Sequence, residues 1–306
     1  MAKEFHQTIW DDRLRQDWKA ILHLAIAEDL GNSGDWTSRA LVAENAVGRA
    51  AIVARQSGVV AGLPGVATAL QLVGAHLRWL PQTEDGQPLE QGVCVGTIEG
   101  PARELLAAER IVLNLLGRLS GIATLTRRYV DAVAGTKAQI YDTRKTTPGW
   151  RRLEKYAVRR GGGWNHRSGL FEAVLIKDNH LALGAQSSVE AARFTPAEAV
   201  TQARQFVEKH AANRAMVIEV EVDTLEQLDA VLPAQPDIVL LDNMSPAQLT
   251  EAVARRNTVQ AAVELEASGG VHLSTIRAIA ESGVERISVG ALTHSAVALD
   301  FGLDWR

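Results

Sequence analysis

The chain has 306 residues, 46% hydrophobic and 22% charged, with a formal net charge of −4. That composition suits one large or two ordinary globular domains, and it excludes the broad basic surface that nucleic acid or an anionic membrane rewards. The single cysteine, Cys94, excludes a disulfide within the chain and a multi-cysteine metal site, and reads as a buried spectator in a reducing compartment.

The N-terminal stretch MAKEFHQTIWDDRLRQDWK is charged throughout and lacks the apolar core of a signal peptide. No later run approaches the roughly 18 apolar residues of a membrane span, so the expected location is the cytoplasm. An amphipathic stretch from about Trp10 to Leu30 predicts a helix. It leads into RAAIVARQSGVVAGL and LRWLPQTEDGQPLEQGVCVGTIEG, short apolar runs broken by Gly, Pro and Asp-Gly turn signals, which predict a small mixed α+β domain. Pro101 sits where a helix can begin. The following ARELLAAERIVLNLLGRLSG carries leucines at helical spacing until glycines end the pattern, so a helix is expected to link two halves.

From Gln139 onward a theme repeats: QIYDTRK, AVLIKDNH, MVIEVEVD, DIVLLDN, VELEASGG and RISVGALT are β-rich apolar runs ending in polar residues, with helical stretches between. Near-continuous apolar strands are what a parallel sheet buried on both faces requires. The later runs recur about every 20 to 25 residues, close to the minimum for a βα unit, so a compact α/β barrel is expected rather than an open sheet. In a barrel the residues ending those runs, Lys145, Lys177, Glu221, Asp242, Ser268 and Gly290, converge on the face where barrels place their chemistry.

Within residues 142 to 180 the chain concentrates Arg144, Lys145, Arg151, Arg152, Lys155, Arg159, Arg160, His166, Arg167 and Lys177. The cations from Arg151 to Arg160 recur at helical spacing, and a charged run on a helix reads as a solvated face. Lys145 and Lys177 instead follow predicted buried strands, where an unpaired cation is costly. Glu221 and Asp242 hold the matching position on two later strands, so these groups form either structural ion pairs or the wall of a shared ligand or metal site. Glycines 161 to 163 either flex or let backbone approach a ligand. The SGG at 268 to 270 and the VG at 289 to 290 read as ordinary turns or as a backbone N–H cradle for phosphate. Several cations, two carboxylates suited to Mg²⁺ and a phosphate-binding turn point together to a small, phosphorylated polyanion as substrate.

The motifs DTRKTTPG, GGGWNHRSGLFEAVLIKDNH, VEVD followed by LLDN, ASGGV and ISVGALTHS, with the earlier ERIVLNLLGRLSGIAT, resemble the quinolinate phosphoribosyltransferase family from about residue 10 to the C-terminus. Trp164 and the Trp150 of PGW are bulkier than that pattern, and neither falls on a catalytic position. The resemblance implies an N-terminal α/β sandwich over residues 1–118, with 291–306 packing back on it, and an incomplete, seven-stranded α/β barrel over 119–290. It also implies a homodimer in which each subunit completes its neighbour's site, with further assembly left open. The implied reaction joins quinolinate and phosphoribosyl pyrophosphate to give nicotinate mononucleotide, carbon dioxide and pyrophosphate, with Mg²⁺. On the same resemblance Arg144, Arg167 and Arg110 clamp carboxylates, Arg110 across the dimer interface, while Thr143, Lys145, Lys177 and His166 complete the pocket. Glu221 and Asp242 serve the ribose and, directly or indirectly, the metal. Either Lys145 or Lys177 returns a proton after decarboxylation, and Ser268, Gly269, Gly270 and Gly290 take the 5′-phosphate. A fold relative associated with molybdenum transport, a nicotinate-salvage transferase and a non-catalytic phosphate-binding barrel are the competing readings.

Overall fold

The structure, a computed structural model, describes residues 3–184, 194–211, 216–259 and 262–306. Its internal contacts divide the chain into two units. A barrel unit comprises Met1–Gln7, Tyr129–Arg144 and Trp164–Gly290, and a sheet unit comprises Thr8–Arg128, Lys145–Gly163 and Ala291–Arg306. Residues 291–306 fall with the N-terminal sheet unit, as expected, while the division runs past residue 118 to Arg128. The segment Lys145–Gly163, expected within the barrel, has its contacts in the sheet unit.

The sheet unit is built on four antiparallel strands in the order β12 (Phe301–Trp305), β1 (Val47–Ala54), β5 (Cys94–Pro101) and β3 (Arg78–Pro81), beside a small ribbon of β2 (Gly58–Val59) and β4 (Pro88–Leu89). The predicted N-terminal helix runs Asp12–Leu30. Asp11 caps it by accepting the Leu14 amide at 2.9 Å, and Leu14, Trp18 and Leu22, four residues apart, form its buried stripe. Cys94 is half-buried at the start of β5 rather than fully enclosed.

The linking helix begins at Ala102, directly after Pro101, but runs without a break to Ala132. Gly117 and Gly121 therefore do not stop it. A Cβ at Gly121 would stand 2.0 Å from the Val297 carbonyl oxygen and one at Gly117 2.8 Å from that of Leu299, whose amide donates to the Gly117 carbonyl at 2.9 Å. One turn apart on one helix face, these glycines let the C-terminal segment lie against the helix backbone.

The helix Arg151–Arg160 corrects a second expectation. It is not a solvated face, because residues Leu153 through Val158, with Glu154 and Lys155 among them, are buried. The buried Glu154 is met by Arg118 of the long helix, while Arg152, still partly exposed, pairs with Asp17. The three glycines then end the helix. Gly161, Gly162 and Gly163 donate to the carbonyls of Ala157, Arg159 and Val158 at 3.0, 3.1 and 3.1 Å, and Gly162 takes φ +93. This is the left-handed C-terminal cap in which the last amides turn back on the helix, so glycine here answers to helix termination.

In the barrel unit six strands, β6 (Gln139–Tyr141), β7 (Val174–Ile176), β8 (Ile218–Val222), β9 (Ile238–Asp242), β10 (Glu264–Ser268) and β11 (Arg286–Ser288), form one parallel sheet in the order β6-β11-β10-β9-β8-β7. Beyond β6 the chain at Trp164 adds a seventh, irregular segment. The Trp164 amide donates to the Ile140 carbonyl at 2.7 Å and the Asp142 amide to the Trp164 carbonyl at 3.0 Å. The sheet does not close, and the architecture is the expected incomplete barrel. Alternation along the strands puts Glu219 and Glu221 on one face of β8, and Glu264, Glu266 and Ser268 on one face of β10. The register sets Ser268 opposite Asp242 and Glu266 opposite Leu240. Among the described residues, no helix is long and apolar enough to cross a membrane.

Candidate active site

Strand ends of the barrel unit carry most of the expected residues. Lys177 follows β7, and its ammonium pairs with the Glu221 carboxylate near the end of β8. Lys177 remains 42% exposed while Glu221 is 11% exposed, so the pair lies at an opening rather than in a sealed core. Burial pushes Glu221 above the usual carboxylate range against the pull of Lys177, and Asp242 and Asp178 add to the rise. Asp242, last residue of β9, is half-buried and accepts a bond from Asn243 Nδ2 at 2.7 Å. Asn243 itself takes φ +54, and its amide donates to the Ser268 carbonyl at 2.9 Å. An amide side chain tolerates that left-handed conformation, so the residue tying β9 to β10 also orients the carboxylate before it.

Beyond Ser268, Gly269 and Gly270 take φ +87 and +59. A Cβ on Gly269 would come within 2.2 Å of Asn243 Oδ1, whereas one on Gly270 would meet nothing within 4 Å. The turn thus presents bare backbone at the end of β10. Gly290 is half-buried just after β11.

Thr143 and Arg144 follow β6, the first half-buried and the second exposed. The Asp142 carboxylate before them, fully buried, accepts the Asn165 side-chain amide at 2.7 Å and the His166 backbone amide at 2.9 Å, locking residues 165 and 166 to β6. Arg167 comes next and is buried, with a bond from Nη1 to the Ala173 carbonyl at 3.3 Å. Burial, then repulsion from Arg144, hold its guanidinium below the usual arginine range, with Glu219 pulling the other way. Two cations near enough to feel one another's charge after neighbouring strands favour an anion.

His166 lies deeper. Its ring stacks on Phe5 with centroids 4.3 Å apart, Nδ1 accepts the Arg167 amide at 2.8 Å, and Nε2 stands 3.0 Å from Glu219 and 3.5 Å from Glu266. With Nδ1 taken by the Arg167 amide, Nε2 is the ring nitrogen that faces the two carboxylates. Glu219 and Glu266 are fully buried and meet no donor in good hydrogen-bond geometry, although Ser288 lies beside Glu266. Burial pushes Glu266 up to about 7, opposed by His166 and raised further by Glu219. Neither glutamate is among the residues expected from sequence. Each stands two positions before an expected one, Glu221 or Ser268, so strand alternation carried the signal.

The remaining two expected residues belong to the sheet unit. Arg110 is exposed on the long helix, with Glu109 3.9 Å away. Lys145 is exposed, and its carbonyl accepts from Thr293 Oγ1 at 2.7 Å.

An open parallel α/β barrel whose strand ends gather arginines, a lysine, two carboxylates and a glycine turn defines a barrel protein suited to a small polyanion. The family is fixed by comparison with known proteins. The model described as quinolinate phosphoribosyl transferase, C-terminal domain, matches residues 122–304, and its N-terminal counterpart matches 35–120. The chain belongs to the quinolinate phosphoribosyltransferase family. It is 46% identical over 282 residues to the nicotinate-nucleotide pyrophosphorylase [carboxylating] of Mycobacterium leprae, covering 92% of this chain and 94% of that one. It is 41% identical over 286 residues to the probable enzyme of that name in Bacillus subtilis, covering 94% and 92%. The solved nicotinate-nucleotide pyrophosphorylase of Francisella tularensis superposes with a TM-score of 0.86 at 33% identity, covering 99% of this chain and all of that one.

Proposed function

We propose that the protein transfers the phosphoribosyl group of phosphoribosyl pyrophosphate to quinolinate, with decarboxylation, giving nicotinate mononucleotide, pyrophosphate and carbon dioxide in NAD biosynthesis. Family membership over nearly the whole chain supports the reaction. The observation that carries the substrate is Arg167, a buried guanidinium that follows the Asp142-anchored residues 165 and 166 and feels the charge of Arg144, which suits a ligand bearing more than one carboxylate. Arg144 and Arg167 take the carboxylates of quinolinate, and His166 serves through the Arg167 amide that it accepts. Thr143 and Lys177 complete this set. On the family motifs, Lys145 and Arg110 act on the same substrates, Arg110 from the neighbouring subunit of a homodimer. Ser268, Gly269, Gly270 and Gly290 receive the 5′-phosphate.

The chemistry follows from where charge develops. As the bond from C1 of the ribose to pyrophosphate breaks, C1 becomes cation-like, and Glu221 and Asp242 stabilise that state and hold the ribose hydroxyls. The pyridine nitrogen attacks C1, and the alkylated nitrogen is then an electron sink for loss of the adjacent carboxylate. A proton, from Lys145 or Lys177, replaces it. The half-open carboxylates of Glu221 and Asp242 are hard oxygen donors of the kind Mg²⁺ takes in ones and twos beside substrate phosphates, so the donor set fits that ion. When bound, Mg²⁺ supplies neutralising charge to the departing pyrophosphate.

The experiment is an assay of purified protein with Mg²⁺ and phosphoribosyl pyrophosphate, following nucleotide and carbon dioxide with quinolinate or nicotinate. Turnover with quinolinate and little with nicotinate is expected. Equal rates with the two acids overturn the two-carboxylate reading.

A further inference from the structure

Three successive residues of the loop after β6 are each tied by a different group of the sheet unit. The Lys145 carbonyl accepts from Thr293 Oγ1 at 2.7 Å, and the Thr146 hydroxyl accepts from Arg151 Nε at 3.0 Å. Thr147 donates its hydroxyl to Glu154 Oε1 at 2.9 Å and its amide to Oε2 at 3.2 Å. Two of these ties join behind the loop. Arg118, on the long helix, donates Nη2 to Glu154 Oε1 at 2.6 Å and to the Thr293 carbonyl at 2.6 Å, and Nη1 to the Ala296 carbonyl at 3.0 Å. A continuous chain of bonds therefore runs from the Lys145 carbonyl through Thr293, Arg118 and Glu154 to Thr147.

Glu154 is fully buried. A buried ion pair is a poor device for stability, since an apolar pair of similar volume does as well or better once desolvation is counted. An apolar pair cannot accept the amide and hydroxyl of Thr147, nor can it hold the Thr293 carbonyl. The purpose that fits this geometry is placement of the loop. Lysine is a compact charge on a flexible four-carbon stem, so where its ammonium can reach depends on how firmly its backbone is held.

We infer that Glu154, with Arg118 and Thr293 behind it, is a positioning residue that fixes the backbone of Lys145 for the phosphoribosyl-transfer reaction. The inference rests on the reading of Lys145 as a residue of the active site. Loss of the anchor leaves the lysine present but spread over many positions, and orientation is a large part of catalytic rate.

The test uses Thr147→Val, Thr147→Ser, Glu154→Gln and Lys145→Ala in the full-length protein, alone and with each anchor variant added to Lys145→Ala. Thr147 is exposed, so its variants keep the fold even where Glu154→Gln does not. Thr147→Val and Glu154→Gln are expected to lower kcat about tenfold or more with KM changed less, and Thr147→Ser, which keeps both donors, to restore kcat. In the Lys145→Ala background the anchor variants should cost no more than about twofold further, because residues acting through one another are not additive. Amide hydrogen exchange at Thr147 should quicken in Thr147→Val and Glu154→Gln, a readout independent of turnover. If Lys145→Ala is harmless, the assignment of Lys145 to the site fails while exchange still reports on the anchor. If Lys145→Ala is crippling but the anchor variants leave kcat and exchange at parental values, or their losses simply add to that of Lys145→Ala, the positioning role is overturned.

Discussion

Glu154 in the sheet unit and Glu266 in the barrel unit are both fully buried glutamates, yet their surroundings are opposite. Glu154 receives donors from Arg118 and from both the amide and the hydroxyl of Thr147. Glu266 faces the His166 imidazole and another buried carboxylate, with Ser288 beside it and the Arg286 charge acting on it, and among the described residues no donor meets it in good geometry. The first arrangement uses charge to specify a backbone. The second leaves Glu266 holding its proton more tightly than an ordinary carboxylate, beside Glu219, which counters the repulsion that Arg144 exerts on the Arg167 guanidinium. A saturated carboxylate is a structural tie, whereas a donor-poor one sets the field of a binding site.

If the barrel interior exists to set that field, the residue on which it acts should matter most. Arg167→Ala is expected to lower kcat/KM for quinolinate roughly a thousandfold, about 4 kcal/mol, since truncating one partner of a desolvated charge pair costs on that scale. Steady-state kinetics on the folded variant check it, and a loss under about tenfold would place the carboxylate clamp elsewhere.

The contrast between the two glutamates is sharpened by pH. The folded-state value of Glu266, about 7, lies above the ordinary 4.5, so between these values the native chain binds more protons than the unfolded one. Stability attached to this group is therefore present below about 4.5 and is lost as pH rises through about 7. Glu266→Gln cannot titrate. Its stability minus that of the parent should climb by up to about 3 kcal/mol between pH 4.5 and 7 and stay level above. Denaturant titrations of both proteins across that range measure the climb, and a flat difference would mean that the two acids do not share a donor-poor interior.

Asp242→Asn separates field from fabric at the strand ends. Asp242 is half-buried and open, so the variant should melt within a few degrees of the parent and still bind quinolinate. It should lose roughly a hundredfold in turnover, about 2.7 kcal/mol. A large fall in melting temperature with near-normal turnover per folded molecule would make the carboxylate structural.

The two units also differ in how far the sequence discloses them. Parallel strands buried on both faces write near-continuous apolar runs, so β6 to β11 and their polar ends could be read directly, and with them most of the candidate site. Glu219 and Glu266 were within reach of the same alternation. In the sheet unit the same residue types misled, because their meaning is set by partners far away in the chain. Gly117 and Gly121 look like helix stops until residues 297 to 299 are laid against them. Lys155 looks solvated, yet its helix is buried from Leu153 to Val158 and is joined to Arg118 through Glu154 and to Asp17 through Arg152. No local pattern encodes a contact across 135 residues.

Arg110 puts the division of labour to its last test, because this residue of the sheet unit is exposed, with the Glu109 carboxylate 3.9 Å away. An arginine on a helix whose apolar positions are buried is ordinary surface if the chain works alone, and a working residue if a second copy brings its barrel to it. Arg110→Ala and Lys177→Ala should each be nearly inactive. Mixed in equal amounts and allowed to exchange, half of the dimers become heterodimers in which one of two sites has both residues intact, so recovery of about a quarter of parental activity is expected. Activity after exchange, with heterodimers counted by two affinity tags, is the measurement. Full exchange without recovery would return Arg110 to the surface and leave the barrel unit to clamp quinolinate with Arg144 and Arg167.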